Sequence, residues 1–249
     1  MNYQLKPYAF VLATLLVGCK APMVVSEVSP KKNISINSSL KDNEVMAATI
    51  APYKMEMERQ MNTKISHTNA ELTKQGDNST LGALLADYTY EGGNDWAKAN
   101  GFPSVDASVI NIGGIRTNIG KGDILLKHIF EVMPFENELV IVKIKGKDMD
   151  GLFNYYAETQ KNNPVSHLVI ETTQGKISRG LINNQPIDSH KDYYIATSDY
   201  LALGGDNMKF FSKGELIATG LKLRDVFISK FKQNPEITAP NDVRLIFNK

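Results

Sequence analysis

The chain has 249 residues, 28 Lys plus Arg against 27 Asp plus Glu, a formal net charge of +1 and 42% hydrophobic residues. That length and apolar content build a sizeable core and exclude disorder and collagen-like repeats. One cysteine makes neither an internal disulfide nor a zinc cluster, and a near-neutral charge supplies no bulk field for nucleic acid, so an anionic ligand must be held by a few placed groups.

Residues 1–18 read as a secretory signal: Lys6 gives a positive start and Tyr8 to Val17 a run of about ten apolar residues, too short to span a bilayer. The run ends in Leu16-Val17-Gly18-Cys19. This resembles the bacterial lipobox, so Cys19 is expected to carry lipid and to become the new N-terminus. Lys20, not Asp, follows it, which favours the outer membrane of a bacterial cell envelope, facing the periplasm. Multiple acyl chains on Cys19 would be the chain's contact with the membrane. Residues 19–42, rich in Ser, Asn, Lys and Pro, then read as a tether, and 43–249 as the folded part.

Asp42 can cap a helix over 43–62, interrupted or kinked near Pro52. Residues 64–73 alternate as a strand, and Ser79 can cap a helix over 79–88. Further strands are expected over 107–112, 138–145, 167–172, 193–198 and 243–247, with helices over 124–132, 148–160 and 221–232. Breaks at Gln174-Gly175 and Asn183-Asn184 point to antiparallel hairpins. The order lacks a doubly wound rhythm. It predicts an α/β fold of the α+β type, a single domain with a mixed β-sheet and flanking helices.

Three clusters could carry chemistry. Asn111-Ile112-Gly113-Gly114-Ile115-Arg116 follows an apolar strand, and its Gly pair allows close backbone approach while Asn111 and Arg116 offer amide and forked cationic donors. Gly-Gly is a common punctuator, so on pattern alone a tight turn with a surface arginine is the commoner reading there. Met133-Pro134-Phe135-Glu136-Asn137 precedes a strand; Phe135 could stack on a flat base, with Asn137 reading an edge or fixing the loop, or simply plug the sheet end. In Asp199-Tyr200-Leu201-Ala202-Leu203-Gly204-Gly205-Asp206, Tyr200 offers a second stacking face and Asp206 an acceptor for vicinal sugar hydroxyls; a plain Gly-Gly-Asp turn is the alternative.

The order NxGGIR, PFxN and then aromatic-L-A-x-G-G-D resembles the C-terminal domain of the 5′-nucleotidase family, over roughly 64–247. The resemblance implies a recognition domain in which Phe135 and Tyr200 sandwich a base, Asp206 binds the ribose hydroxyls, and Asn111 and Arg116, on the Gly113-Gly114 turn, contact the nucleotide. Asn137 matches an asparagine that some members carry beside the stacking ring, and Gly204 and Gly205 belong to the third motif. Members often place arginines for the phosphate upstream of Leu81-Gly82, whereas this chain has Lys74.

In the family, hydrolysis belongs to an N-terminal metallophosphoesterase domain with two metal ions held by Asp, His and Asn motifs. This sequence has none of those motifs, and His67, His128, His167 and His190 stand singly. The expectation is a recognition domain of a split enzyme, with no catalytic residue, metal ligand or cofactor of its own. It would present a nucleotide to a separate metallophosphoesterase chain that holds the divalent metal. The alternative is a stand-alone nucleoside- or nucleotide-binding lipoprotein, without catalysis.

Overall fold

The computed structural model describes residues 25 and 27–249. The expected signal segment and Cys19 lie outside the described residues. The chain parts into two units, Met1–Thr49 and Ile50–Lys249. Described residues up to 42 are exposed and form no helix or strand. Among the described residues no helix is long and apolar enough to cross a membrane.

Among the described residues the first helix, α1 (Glu44–Met61), runs uninterrupted through Pro52. The expected break is absent because the neighbouring positions are exposed, so water can satisfy the carbonyl that proline leaves unpaired. Strand β1 (Lys64–Thr68) is shorter than expected. It pairs antiparallel with β3 (Gly122–Leu125), whose last two residues are strand where the sequence predicts the start of a helix. That helix, α3, spans only Leu126–Val132.

A five-stranded sheet forms the centre, in the order β5 (Val165–Ser166), β2 (Ala107–Val109), β8 (Asp192–Ser198), β4 (Glu138–Lys145), β9 (Glu215–Lys222). Only β2 and β8 run parallel; the other neighbours are antiparallel. Strand β4 shows why its sequence is an almost continuous apolar run: both its faces are buried. Leu139 and Ile141 point into one core with α2 (Thr80–Ala99) and α6 (Leu223–Gln233). Val140, Val142 and Ile144 point into the other, with α4 (Asp150–Thr159) and a second sheet.

That second sheet orders β10 (Leu245–Asn248), β6 (Leu168–Thr173) and β7 (Lys176–Ile182). Gln174 and Gly175 both adopt left-handed backbone, as does the Asn183-Asn184 pair, so the two breaks make the expected turns. Helix α2 continues eleven residues beyond its expected end at Tyr88, through Gly92 and Gly93. A Cβ at Gly92 would lie 2.4 Å from Val226, so glycine is what lets α2 and α6 approach there. The expected mixed-sheet α+β architecture is observed.

Candidate functional site

The pairing register puts all three sequence clusters at one sheet end. Ala107 of β2 aligns with Ile195 of the parallel β8, and Leu139 at the start of β4 faces Ser198 at the end of β8. The segments after β2, before β4 and after β8 therefore converge outside that end, a common place for ligand clefts in α/β sheets.

They enclose an open cleft of about 530 Å³. Asn111, Gly113 and Gly114 line it from the first segment, Phe135, Glu136 and Asn137 from the second, and Tyr200 and Asp206 from the third. Phe135 and Tyr200 each keep 43% of their surface exposed. Large aromatic rings left half bare on one cavity are unusual for a monomeric surface and fit a flat apolar ligand.

Local chemistry fixes each group. Tyr200 lies in the short helix α5 (Asp199–Ala202), whose N-cap Ser198 accepts the Leu201 N–H. Its hydroxyl donates to Asp206 Oδ1 at 3.0 Å and accepts the Asp206 N–H at 3.2 Å. Between them, Gly204 has φ of 93° and Asp206 a left-handed φ of 52°. A Cβ on Gly205 would lie 2.5 Å from the Tyr200 carbonyl and 2.6 Å from its ring, so the second glycine of the pair is a contact requirement.

Asn137 does not point free into the cleft. Its amide donates to Asp199 Oδ1 at 2.9 Å, an atom that also accepts the Tyr200 N–H at 2.7 Å. It ties the Phe135 segment to the Tyr200 helix. Beneath Phe135, the buried Arg224 donates to the Met133 and Phe135 carbonyls and pairs with Glu136. Arg224 stacks on Phe130 at 4.4 Å. Neither Asp199 nor Arg224 was picked out by sequence; Asp199 lies one residue before Tyr200, but nothing in the sequence pairs it with Asn137.

Arg116 is exposed, with one side-chain hydrogen bond, to the Gly113 carbonyl at 3.1 Å, and its guanidinium sits 5.8 Å from the Phe135 ring centre. It does not line the cleft itself but stands at the edge of the Phe135 stacking face, with donors to spare for an anion. Lys74, the suggested phosphate substitute, instead directs its ammonium to the Ile115 carbonyl and does not line the cleft. Among the described residues no three His, Cys, Asp or Glu side chains converge as metal ligands.

A family model of the 5′-nucleotidase, C-terminal domain, matches residues 57–213. The chain belongs to that family. It is 26% identical over 215 residues to Protein UshA of Escherichia coli strain K12, covering 83% of this chain and 36% of that protein. It is 27% identical over 226 residues to a 5′-nucleotidase of Vibrio vulnificus, covering 84% and 39%. Among solved structures, a 5′-nucleotidase precursor from Thermus thermophilus superposes with a TM-score of 0.68 at 22% identity, covering 83% of this chain and 43% of that one. The NAD nucleotidase of Haemophilus influenzae does so at 0.64 and 22%, covering 83% and 41%. The chain thus spans well under half the length of these relatives, and the 5′-nucleotidase C-terminal domain is the part it shares.

Proposed function

We propose that this domain binds nucleotides or nucleosides in the cleft and presents the phosphate ester to a separate metallophosphoesterase chain for hydrolysis. The convergence of two half-exposed rings, Phe135 and Tyr200, from different segments carries the reading. A base between them gains stacking on two faces at about 1–3 kcal/mol per ring, with little preference among bases. Asp206 accepts from the ribose, Asn111 hydrogen-bonds the nucleotide, and Arg116 faces the phosphate. Burial of the base fixes the sugar, and the sugar fixes where the ester emerges. The metal ions would lie in the partner, where they would activate water and polarise the phosphate.

We also propose that Cys19 is lipidated and holds the domain on the periplasmic face of an outer membrane. Globomycin-sensitive processing and labelling by an alkyne fatty acid would support this; no label on the wild-type chain, or label surviving in Cys19→Ala, would overturn it.

Calorimetry with AMP tests the binding step, and adding metallophosphoesterase chains with Mn²⁺ tests the presentation step. AMP binding together with partner-dependent hydrolysis supports the full reading. Tight binding with no gain in hydrolysis from any partner converts it to a capture protein. No AMP binding overturns both.

A further inference from the structure

The cleft segments are joined from below by a path that no motif contains. Asn163 is fully buried just before β5, and its Oδ1 accepts the Ile112 N–H of the NxGGIR segment at 3.0 Å. Its amide nitrogen donates to the Tyr155 hydroxyl at 3.0 Å. That hydroxyl donates onward to the Asp206 carbonyl at 3.3 Å. Asp206 then returns its own N–H and carboxylate to the Tyr200 hydroxyl. One chain of hydrogen bonds therefore runs from the Gly-Gly turn to the acidic residue and the stacking ring.

The roles along it are fixed by donor count. An Asn side chain has one accepting and one donating end, and here each end serves a different element. Tyr155 has one proton, and with Asn163 donating to its oxygen that proton is left for Asp206. Burial and the nearby Asp206 carboxylate both raise the Tyr155 pKa, which keeps that proton in place. Asp206 needs such a hold because its φ of 52° and that of Asn207, 66°, are conformations that non-glycine residues adopt at a cost. Tyr155 sits in α4, packed at 5.4 Å against Tyr156 and 6.1 Å against Phe210, so its hydroxyl is presented from a rigid surface.

We propose that Tyr155 and Asn163 are positioning residues that set the sugar-reading geometry of Asp206 relative to the Asn111 turn. They touch no ligand; they decide where the carboxylate stands. This rests on the nucleotide-binding reading of the cleft. Its signature is selective: loss of the path weakens ligands with ribose hydroxyls and spares those held by base and phosphate alone.

The experiment compares AMP with dideoxy-AMP, which lacks both ribose hydroxyls, on the whole chain and on Tyr155→Phe, by calorimetry. Tyr155→Phe deletes one oxygen and keeps the packed ring. The expected result is AMP binding weakened about tenfold, the scale of one lost hydrogen bond to a charged partner, with dideoxy-AMP affinity unchanged. Equal weakening of both ligands would reduce Tyr155 to a general structural role, and unchanged AMP affinity would remove it from the site; either overturns the proposal. Should Tyr155→Phe melt early, the same pair of titrations run well below its melting midpoint must still show the ribose-selective loss. Failure of the wild-type chain to bind AMP would instead overturn the cleft reading itself, and this proposal with it.

Discussion

Two concavities of the described residues are built in opposite ways. Beside β6, Asp87, Asp242, Ser166 and His167 gather around Arg244, which is 8% exposed. Every nitrogen of that guanidinium is used: Nε and Nη2 on Asp242 at 2.6 and 2.9 Å, Nη1 and Nη2 on Asp87 at 2.8 and 2.9 Å, and Nη1 also on the Val165 carbonyl at 2.8 Å. At the cleft between Phe135 and Tyr200 the two aromatic rings are half bare, and Arg116 at its edge is exposed and makes one side-chain hydrogen bond. The first concavity has its hydrogen-bonding capacity turned inward and belongs to folding; the second holds its capacity in reserve and belongs to ligands. What separates a site from a strut here is spare valence, not the number of charged residues.

If that division is right, the two regions fail differently when cut. Arg244→Met should lower the free energy of unfolding by about 3 kcal/mol, the low end for breaking a buried pair, since Asp87 and Asp242 are partly solvated. A denaturant titration reads this, and AMP affinity of the folded fraction should be unaltered. A stable variant that loses AMP binding would reverse the assignment. The cleft predicts the converse. Phe135→Ala combined with Tyr200→Ala should weaken AMP at least about 30-fold, from about 1 kcal/mol or more per ring, while the unfolding midpoint stays near wild type because neither ring is core. Retained affinity would remove the sandwich.

A smaller change sharpens the boundary between the two behaviours. Gly205→Ala adds a methyl where the Tyr200 ring and carbonyl already stand, so the ring must shift. We expect AMP affinity to fall by severalfold and stability by about 1–3 kcal/mol, since the Tyr200 carbonyl in the clash is backbone and cannot swing aside. An unchanged Kd would show that the ring's exact seat is immaterial to binding.

The sequence carried the cleft better than it carried the strut. Asn111, Phe135, Tyr200 and Asp206 sit in short motifs beside apolar strands, and strand adjacency alone brings those motifs together. Arg244 and Asp87 are 157 residues apart, and Asn163 lies 51 residues from Ile112; such partners leave no local pattern. Strand β9 was missed because it is an edge strand with no buried residue and a left-handed Gly220, so it lacks the apolar alternation that marks a strand. For Asn137 the motif left two tasks open, reading a base edge or fixing the loop, and its hydrogen bond to Asp199 fits the second: a motif gives a residue's place, whereas its partner gives its role.

The smallest predicted effect lies on the strut side and concerns protons. His167 stacks on Tyr90 at 3.7 Å, with Ser166 on its Nδ1 at 2.9 Å, and burial is the main cause that lowers its pKa below the ordinary imidazole value. Arg244 pushes in the same direction, whereas Asp87, Asp242 and Glu91 oppose it. A folded-state pKa below the unfolded one means that the unfolded chain binds more protons in between. The neutral ring's contribution is therefore complete above about pH 6.5 and is lost as pH falls through the folded-state value. His167→Asn tolerates the left-handed φ of 60° at this position and does not titrate. Its stability should fall less steeply than that of the wild type over that acid window, and the AMP affinity of both should change in parallel with pH. Identical stability slopes would take His167 out of the strut; an AMP affinity that diverges between the two would couple the strut to the cleft and end the division drawn between them.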